Sequence, residues 1–359
     1  METFERRWTS DGSRKRGGPE AGDPARPHGR SAADEARGSY YGVPVIHRPH
    51  WHWLIVVYFF LGGIAGACYA IASVAQLVGP KEDQRLVRAG RYLSFATLLP
   101  SPVLLILDLG RPERFFKMLR VLKLRSPMSV GTWGLTVFGA FAALSAAVQA
   151  AEDGLLGAGR AARTLAGWPA KAIGAAGLPW GLFVAGYTGV LLGVTAVPLW
   201  AKNALLLGPL FLASAFSTAA SAISLALSVV QGTERATLER LERLERVAIG
   251  AELGLLAASS ARLGTTAAPV KTGTLGALLR YGTVGSGLLL PLGLHAVVRV
   301  LGEKSRRRLG MLSSTLVLLG GFLLRYTTVV GGKASADDPQ STFDFARQGP
   351  DPKPRVDAT

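Results

Sequence analysis

Cysteine is nearly absent: Cys68 is the only one in 359 residues. A single thiol forms no internal disulfide, and an iron–sulfur cluster needs roughly four. Charge is scarce as well, at 18% of the chain, against about 25% in an average soluble domain. Acids are the rarer sign, with 24 Asp and Glu against 40 Lys and Arg and a formal net charge of +16. No glycine-rich nucleotide loop, zinc-type Cys/His spacing or hydrolase triad signature is present. These absences exclude a disulfide scaffold, a self-contained iron–sulfur protein and a typical cytosolic enzyme.

What fills the chain is apolar: 49% hydrophobic residues and a mean hydropathy of +0.28. The 44 glycines have no triplet period and are scattered through the apolar runs, a habit of transmembrane helices rather than of collagen. Lys and Arg gather between the apolar blocks and in the N-terminal region. That pattern fits loops at a membrane face and contact with anionic lipid, not nucleic acid.

Three regions follow. Residues 1–50 read as a disordered polar tail, 51–332 as a transmembrane domain, and 333–359 as a polar C-terminal tail. A helix needs about 20 apolar residues to cross the hydrocarbon core. Eight blocks are candidates: Trp53 to Gly79, Tyr92 to Leu107, Ser126 to Ala151, Ala172 to Ala201, Asn203 to Thr233, Val247 to Ala261, Leu275 to Val298 and Leu309 to Gly332. The expected fold is an all-α membrane bundle of about eight helices, in two four-helix halves, multi-pass in the inner or cytoplasmic membrane. A short interfacial helix fits between Gly154 and Ala172. Lys and Arg are modestly more frequent in the loops after the odd-numbered helices, which places both termini outside.

The loop after the second block carries an excess of positive charge against that trend. It reads Asp108-Leu109-Gly110-Arg111-Pro112-Glu113-Arg114-Phe115-Phe116. Gly110 suits a helix end and Pro112 the first turn of the next helix. From there Phe115, Phe116, Leu119 and Leu122 fall on one side, and Glu113, Lys117, Arg120 and Lys123 on the other. The spacing predicts a helix lying in the interface plane. Asp108 and Arg111 stand close enough to pair. Either the pair pins the turn, or the loop floors a polar pocket with Arg111 or Arg114 facing a ligand or partner.

Residues 51–134 resemble the NrfD/polysulfide reductase membrane-subunit family. The pieces that carry the resemblance are Trp51-His52-Trp53, Phe60-Leu61-Gly62-Gly63-Ile64-Ala65-Gly66, Asp108 through Phe115, and Ser126-Pro127-Met128-Ser129-Val130-Gly131-Thr132-Trp133. It reappears at Glu252 and at Leu324-Arg325-Tyr326. The resemblance implies an integral membrane subunit that binds a quinone or quinol, menaquinone or ubiquinone. It implies no haem, metal or iron–sulfur cluster in this chain. It further implies docking on a ferredoxin-like iron–sulfur protein that serves a catalytic subunit, often a molybdopterin enzyme. Electrons would pass between the quinone pool and that partner, and the chain alone is not a catalyst.

The residues themselves support a site of that kind. A quinone needs an apolar slot, one or two hydrogen-bond donors and a titratable group within reach. His52 and Tyr58 on the first helix, with Asp108 and Arg111 at the end of the second, are the candidate quinone ligands. Arg111, Glu113, Arg114 and Lys117 are the candidate docking residues. His52 between Trp51 and Trp53 serves equally as an aromatic-belt anchor. Gly62, Gly63 and Gly66 suit close helix packing. Intramembrane charges are costly unless paired or wet, so Glu252 and Arg325 form either a structural pair or a proton route; Asp108 and Glu252 are the proton-transfer candidates. His295 reads as interfacial. The Leu-Glu-Arg steps from Glu234 to Arg246 read as the solvated start of the sixth helix, with Arg240, Arg243 and Arg246 facing anionic lipid. Two other classes remain: a proton-conducting subunit without quinone chemistry, and a secondary transporter.

Overall fold

The computed structural model describes Ile46, Pro49 and residues 51–108, 119–230, 234–298, 303–338 and 342, all within the unit Pro44–Thr359. Eight long helices account for most of them, with no strand among the described residues. Helix α1 is Trp53–Val78. It has no charge and ends where Pro80, lacking an N–H, follows Gly79. Helix α2 runs as Gln84–Leu98 and then Pro100–Asp108. Helix α3, Pro127–Glu152, starts on a proline in its first turn. Helices α4, Ala170–Gly193, and α5, Ala204–Val229, each carry one internal proline. Helix α6 is Arg235–Leu263. Helix α7 changes character along its length: Gly273–Ala277, a π-helical Leu278–Leu289, then Leu290–Val298. Helix α8 is Glu303–Asp337.

Seven of these are long and apolar enough to cross a membrane. Helix α6 is not among the seven; it carries charges through its first turns and again at Glu252 and Arg262. Its ends nonetheless reach both faces. Near its start, Thr237 Oγ1 donates to Asp83 Oδ1 in the α1–α2 turn at 2.7 Å. At its end, Leu263 O accepts from Lys202 Nζ in the α4–α5 connection at 3.0 Å. The chain is a multi-pass helical membrane protein.

Packing closes two rings of four. Helix α1 packs on α2 and α4, and α3 packs on both of those; α5 packs on α6 and α8, and α7 lies along α8. The rings meet where α5 lies against α1 and α4, and α8 touches α1. Burial follows this plan. The apolar stretch of α1 is 78% buried and that of α5 61%, against 28% for α2 and α7. Helices α1 and α5 therefore form the seam, while α2 and α7 face outward. Inside a bilayer, helices gain from close packing rather than from leaving water. Gly66 shows the consequence: a Cβ there would stand 2.3 Å from Gly181 O on α4.

Several element limits differ from those the sequence suggests, each for a local reason. Helix α2 starts at Gln84, not Tyr92, because Arg91 is buried between Gln149 (2.8 Å) and Gln76 (2.6 Å) and so marks no boundary. Helix α6 starts at Arg235 rather than Val247. The apolar run from Ala172 breaks after Gly193, and Pro198 opens a separate short helix, Pro198–Lys202. One short helix, Arg160–Ala166, fills the α3–α4 connection. Helix α8 continues beyond Lys333 because Ser335, fully buried, accepts the Leu199 N–H at 3.4 Å. Of the expected interfacial helix, residues 109–118 lie outside the described residues. Leu119 and Arg120 are helical, and the chain leaves the helix at Val121. There Ser129 Oγ accepts from Lys123 N–H at 3.0 Å and donates to Val121 O at 3.3 Å, holding the segment against the start of α3.

Candidate functional site

The first helical turn of α1 leaves backbone N–H groups without intrahelical partners. His52 precedes that turn in extended conformation, with ψ 178°. Its N–H donates to Asp108 Oδ1 at 3.1 Å, and its Nδ1 lies 3.2 Å from the same oxygen. The carboxylate at the end of α2 thus sits at the N-terminus of α1, where negative charge is favoured. The Asp108 side chain is 9% exposed and that of His52 67%. Among the described residues the ring is held through Nδ1, which leaves its Nε2 edge outward. Around the pair, Trp53, Val103 and Leu107 are exposed apolar side chains. That is the setting of a polar group at a lipid boundary.

Neighbouring contacts fix this corner. Trp51 stacks on Trp200 at 5.1 Å between centroids and meets Phe59 edge-on at 6.2 Å. Lys333 Nζ of α8 donates to Trp51 O. Tyr58 lies deeper and is buried, its ring passing over Gly62 near Val184 of α4. It is six residues from His52, roughly 120° around the helix and about 9 Å along it. The two therefore look onto different neighbours. Of the other candidate ligand and docking residues, Arg111, Glu113, Arg114 and Lys117 lie outside the described residues.

Glu252 and Arg325 come together in the seam, both fully buried. They meet through serine hydroxyls of α5. Ser217 Oγ donates to Glu252 Oε2 at 3.0 Å, and Arg325 Nη1 donates to Ser214 Oγ at 3.0 Å and to Gly321 O at 2.8 Å. Arg325 Nε reaches Phe59 O at 3.2 Å. The guanidinium also faces the rings of Phe60 and Phe211 at 5.7 and 5.4 Å, a desolvated cation–π arrangement. Glu252 Oε1 accepts no hydrogen bond among the described residues. Gly63 makes room for the arginine: a Cβ on it would lie 2.9 Å from Arg325 Nη2.

The expectation of a solvated Glu234–Arg246 stretch needs correction here. His295, in the last turn of α7, is buried, with Nε2 3.6 Å from Glu245 Oε1 and 3.3 Å from Ser313 Oγ. Glu245 belongs to the stretch expected to be solvated, yet it is 1% exposed. Arg240, expected to face lipid, donates to Asp83 Oδ1 at 2.7 Å. The signal that marks Glu245 is its spacing: it precedes Glu252 by seven residues, two turns, and so lies on the same helix face.

Comparison with known proteins places these residues in context. The family profile described as polysulphide reductase, NrfD, matches residues 45–336. The chain is 29% identical to a polysulfide reductase chain of Wolinella succinogenes over 303 residues, covering 79% of this sequence and 94% of that one. It is 24% identical over 88 residues to a selenate reductase subunit of Mesobacillus selenatarsenatis, covering 24% of this sequence and 20% of that one.

Proposed function

This chain belongs to the NrfD polysulphide reductase family, and we propose that it is the quinone-exchanging membrane subunit of a respiratory oxidoreductase. Each of the two relatives is by name one component of a reductase, which supports one part of a larger assembly. In this reading an iron–sulfur partner carries electrons between the chain and a catalytic, molybdopterin-type subunit. The docking surface would be Arg111, Glu113, Arg114 and Lys117, which follow Asp108 directly in sequence.

The observation that carries the reading is the His52–Asp108 contact at a lipid-facing corner. A bound quinone supplies a carrier for two electrons and two protons. The chain's residues fit its needs. Exposed Trp53, Val103 and Leu107 offer an apolar approach from the bilayer. Asp108 orients the ring through Nδ1–H, so Nε2 would accept from a quinol hydroxyl and, in the protonated ring, donate to a quinone carbonyl oxygen. Tyr58, about 9 Å deeper and turned toward Val184, would bound the slot only at its inner end.

Quinone-analogue titration of the purified complex tests this. His52→Ala is expected to cost about 0.5–1.5 kcal/mol, one net hydrogen bond, or roughly two- to twelve-fold in affinity. Tyr58→Phe, which keeps the ring, is expected to be milder. Unchanged binding in both variants would remove the site from this corner and leave His52 as a belt anchor.

A further inference from the structure

We propose that the α5–α6 seam is a one-sided proton path, joining an aqueous cavity on the face opposite His52 to the carboxyl of Glu252. The quinone reading has no part in this, because every proton-carrying group invoked lies in the second ring of helices.

The cavity has a volume of about 340 Å³ and lies between the end of α5, the start of α6, the end of α7 and the start of α8. Its walls include Ser224, Glu242, Glu245, His295 and Arg306. At about 30 Å³ of liquid per molecule, it holds several waters, and its lining offers them polar partners. Glu245 and His295 both line it, 3.6 Å apart, and His295 Nε2 also lies 3.3 Å from Ser313 Oγ of α8.

From there the seam stays polar. On α5 the hydroxyls of Ser214, Ser217, Ser221, Ser224 and Ser228 recur at alternating steps of three and four, which places them on one helix face. They extend over about 21 Å at 1.5 Å per residue. Ser224 and Ser228 line the cavity, Ser221 faces Glu245, and Ser217 donates to Glu252. Several of these hydroxyls also donate back to their own helix: Ser221 to Ser217 O at 3.0 Å and Ser228 to Ser224 O at 2.7 Å. Such back-bonding is common in helices, and each hydroxyl passes a proton on by rotating off that carbonyl. Glu252 ends the file with Oε1 accepting no hydrogen bond among the described residues.

Beyond Glu252 the path closes. Arg325 stays charged at any ordinary pH and relays no proton. Its fixed positive charge also repels one. The rings of Phe60 and Phe211 face it at 5.7 and 5.4 Å, and its Nε is held by Phe59 O. The groups facing Glu252 are Ser214 and Ser217 on α5 and Arg325 on α8; toward α7, α6 presents Ile249, Leu253 and Leu256 against Leu288 and Leu292. Those facing Glu245 are Ser221 and His295, with Glu242 and Arg246 on its own helix and Arg306 of α8 across the cavity; Ser313 contacts His295. The step balances simply. A proton from cavity water passes by way of His295 and Glu245 to the Glu252 carboxylate, giving the neutral acid, and leaves by the same route.

The test uses the full chain in sealed vesicles, right-side-out and inverted. The probe is dicyclohexylcarbodiimide, which modifies protonated carboxyls in apolar surroundings, and the adduct is located by peptide mass spectrometry. The expected adduct is on Glu252 and is absent in Glu252→Gln. Its rate of formation should fall roughly tenfold per unit of pH, once the acid ionises, when the cavity side is made alkaline. The same change on the His52 side should leave the rate unaltered. A rate that follows the His52 side, or neither side, would overturn the proposal and make the seam a structural one.

Discussion

Arg325 lies directly over Gly63, two helices meeting at a charge in mid-membrane: a Cβ on the glycine would stand 2.9 Å from Nη2 and 3.4 Å from Ala215 Cβ. Gly62, the preceding residue of α1, has nothing nearer than 3.8 Å at the same position. Adjacent glycines thus differ in what a methyl group would meet.

Gly63→Ala is expected to destabilise the protein by about 1–3 kcal/mol, the usual cost of overpacking. The guanidinium must shift off Phe59 O or the helices must part. Gly62→Ala should stay within about 0.5 kcal/mol. Thermal unfolding in mild detergent separates the two, and equal shifts would contradict the assignment.

Arg325→Met leaves Glu252 in the seam without its cation. Removing one partner of a buried charge pair costs about 3–5 kcal/mol. Adding Glu252→Gln should recover much of that loss, since the uncompensated charge is gone. A double-mutant cycle read by unfolding in detergent checks the coupling. Strictly additive effects would show that the two side chains act independently.

Asp108→Asn keeps an oxygen for the His52 N–H, whereas Asp108→Ala removes it. Quinone-analogue affinity and quinol turnover are therefore expected to fall further in the alanine variant. In a dry site a hydrogen bond to a charged group is worth about 1.5–3 kcal/mol. The exposed imidazole puts this one below that range. Full turnover in both variants would exclude a role for Asp108.

Cysteines placed singly at exposed positions on a Cys68→Ser background report the topology. Positions 82, 155 and 235 should label from one side, and positions 124 and 272 from the other. Labelling of 235 and 272 from the same side would mean that α6 does not cross.

The ring architecture was readable because uncharged runs such as Trp53–Val78 have no alternative in the bilayer and hydrogen-bond their backbone as helix. The His52–Asp108 corner was readable for a topological reason. A helix that starts at one face and a second that returns to it bring residues 52 and 108 to the same boundary. Helix limits were less legible. Charge ordinarily marks a loop, and buried Arg91 breaks that rule through Gln76 and Gln149, from different helices. Glu245 escaped for the same reason. Its neighbours Glu242, Arg243 and Arg246 are at least partly exposed; the seven-residue step to Glu252 singles it out, and the packing against His295 bears that out. The serine face of α5 was present as a 3–4 pattern, but serine in an apolar helix signals little until the facing helix supplies Glu252.

The order of the chain gives the Glu252–Arg325 seam a consequence for biogenesis. Helix α6 leaves the ribosome before α8, so Glu252 enters the bilayer with Ser217 of α5 as its available partner. Arg325 follows on the last helix, where a lone arginine at mid-membrane costs about 2.5–3.5 kcal/mol on insertion scales. Its receptor is by then complete: Ser214 on α5, Phe59 O on α1 and the space above Gly63. Helix α8 thus completes a site whose other walls stand on α1 and α5, and the seam reaches charge balance only when that helix is in place.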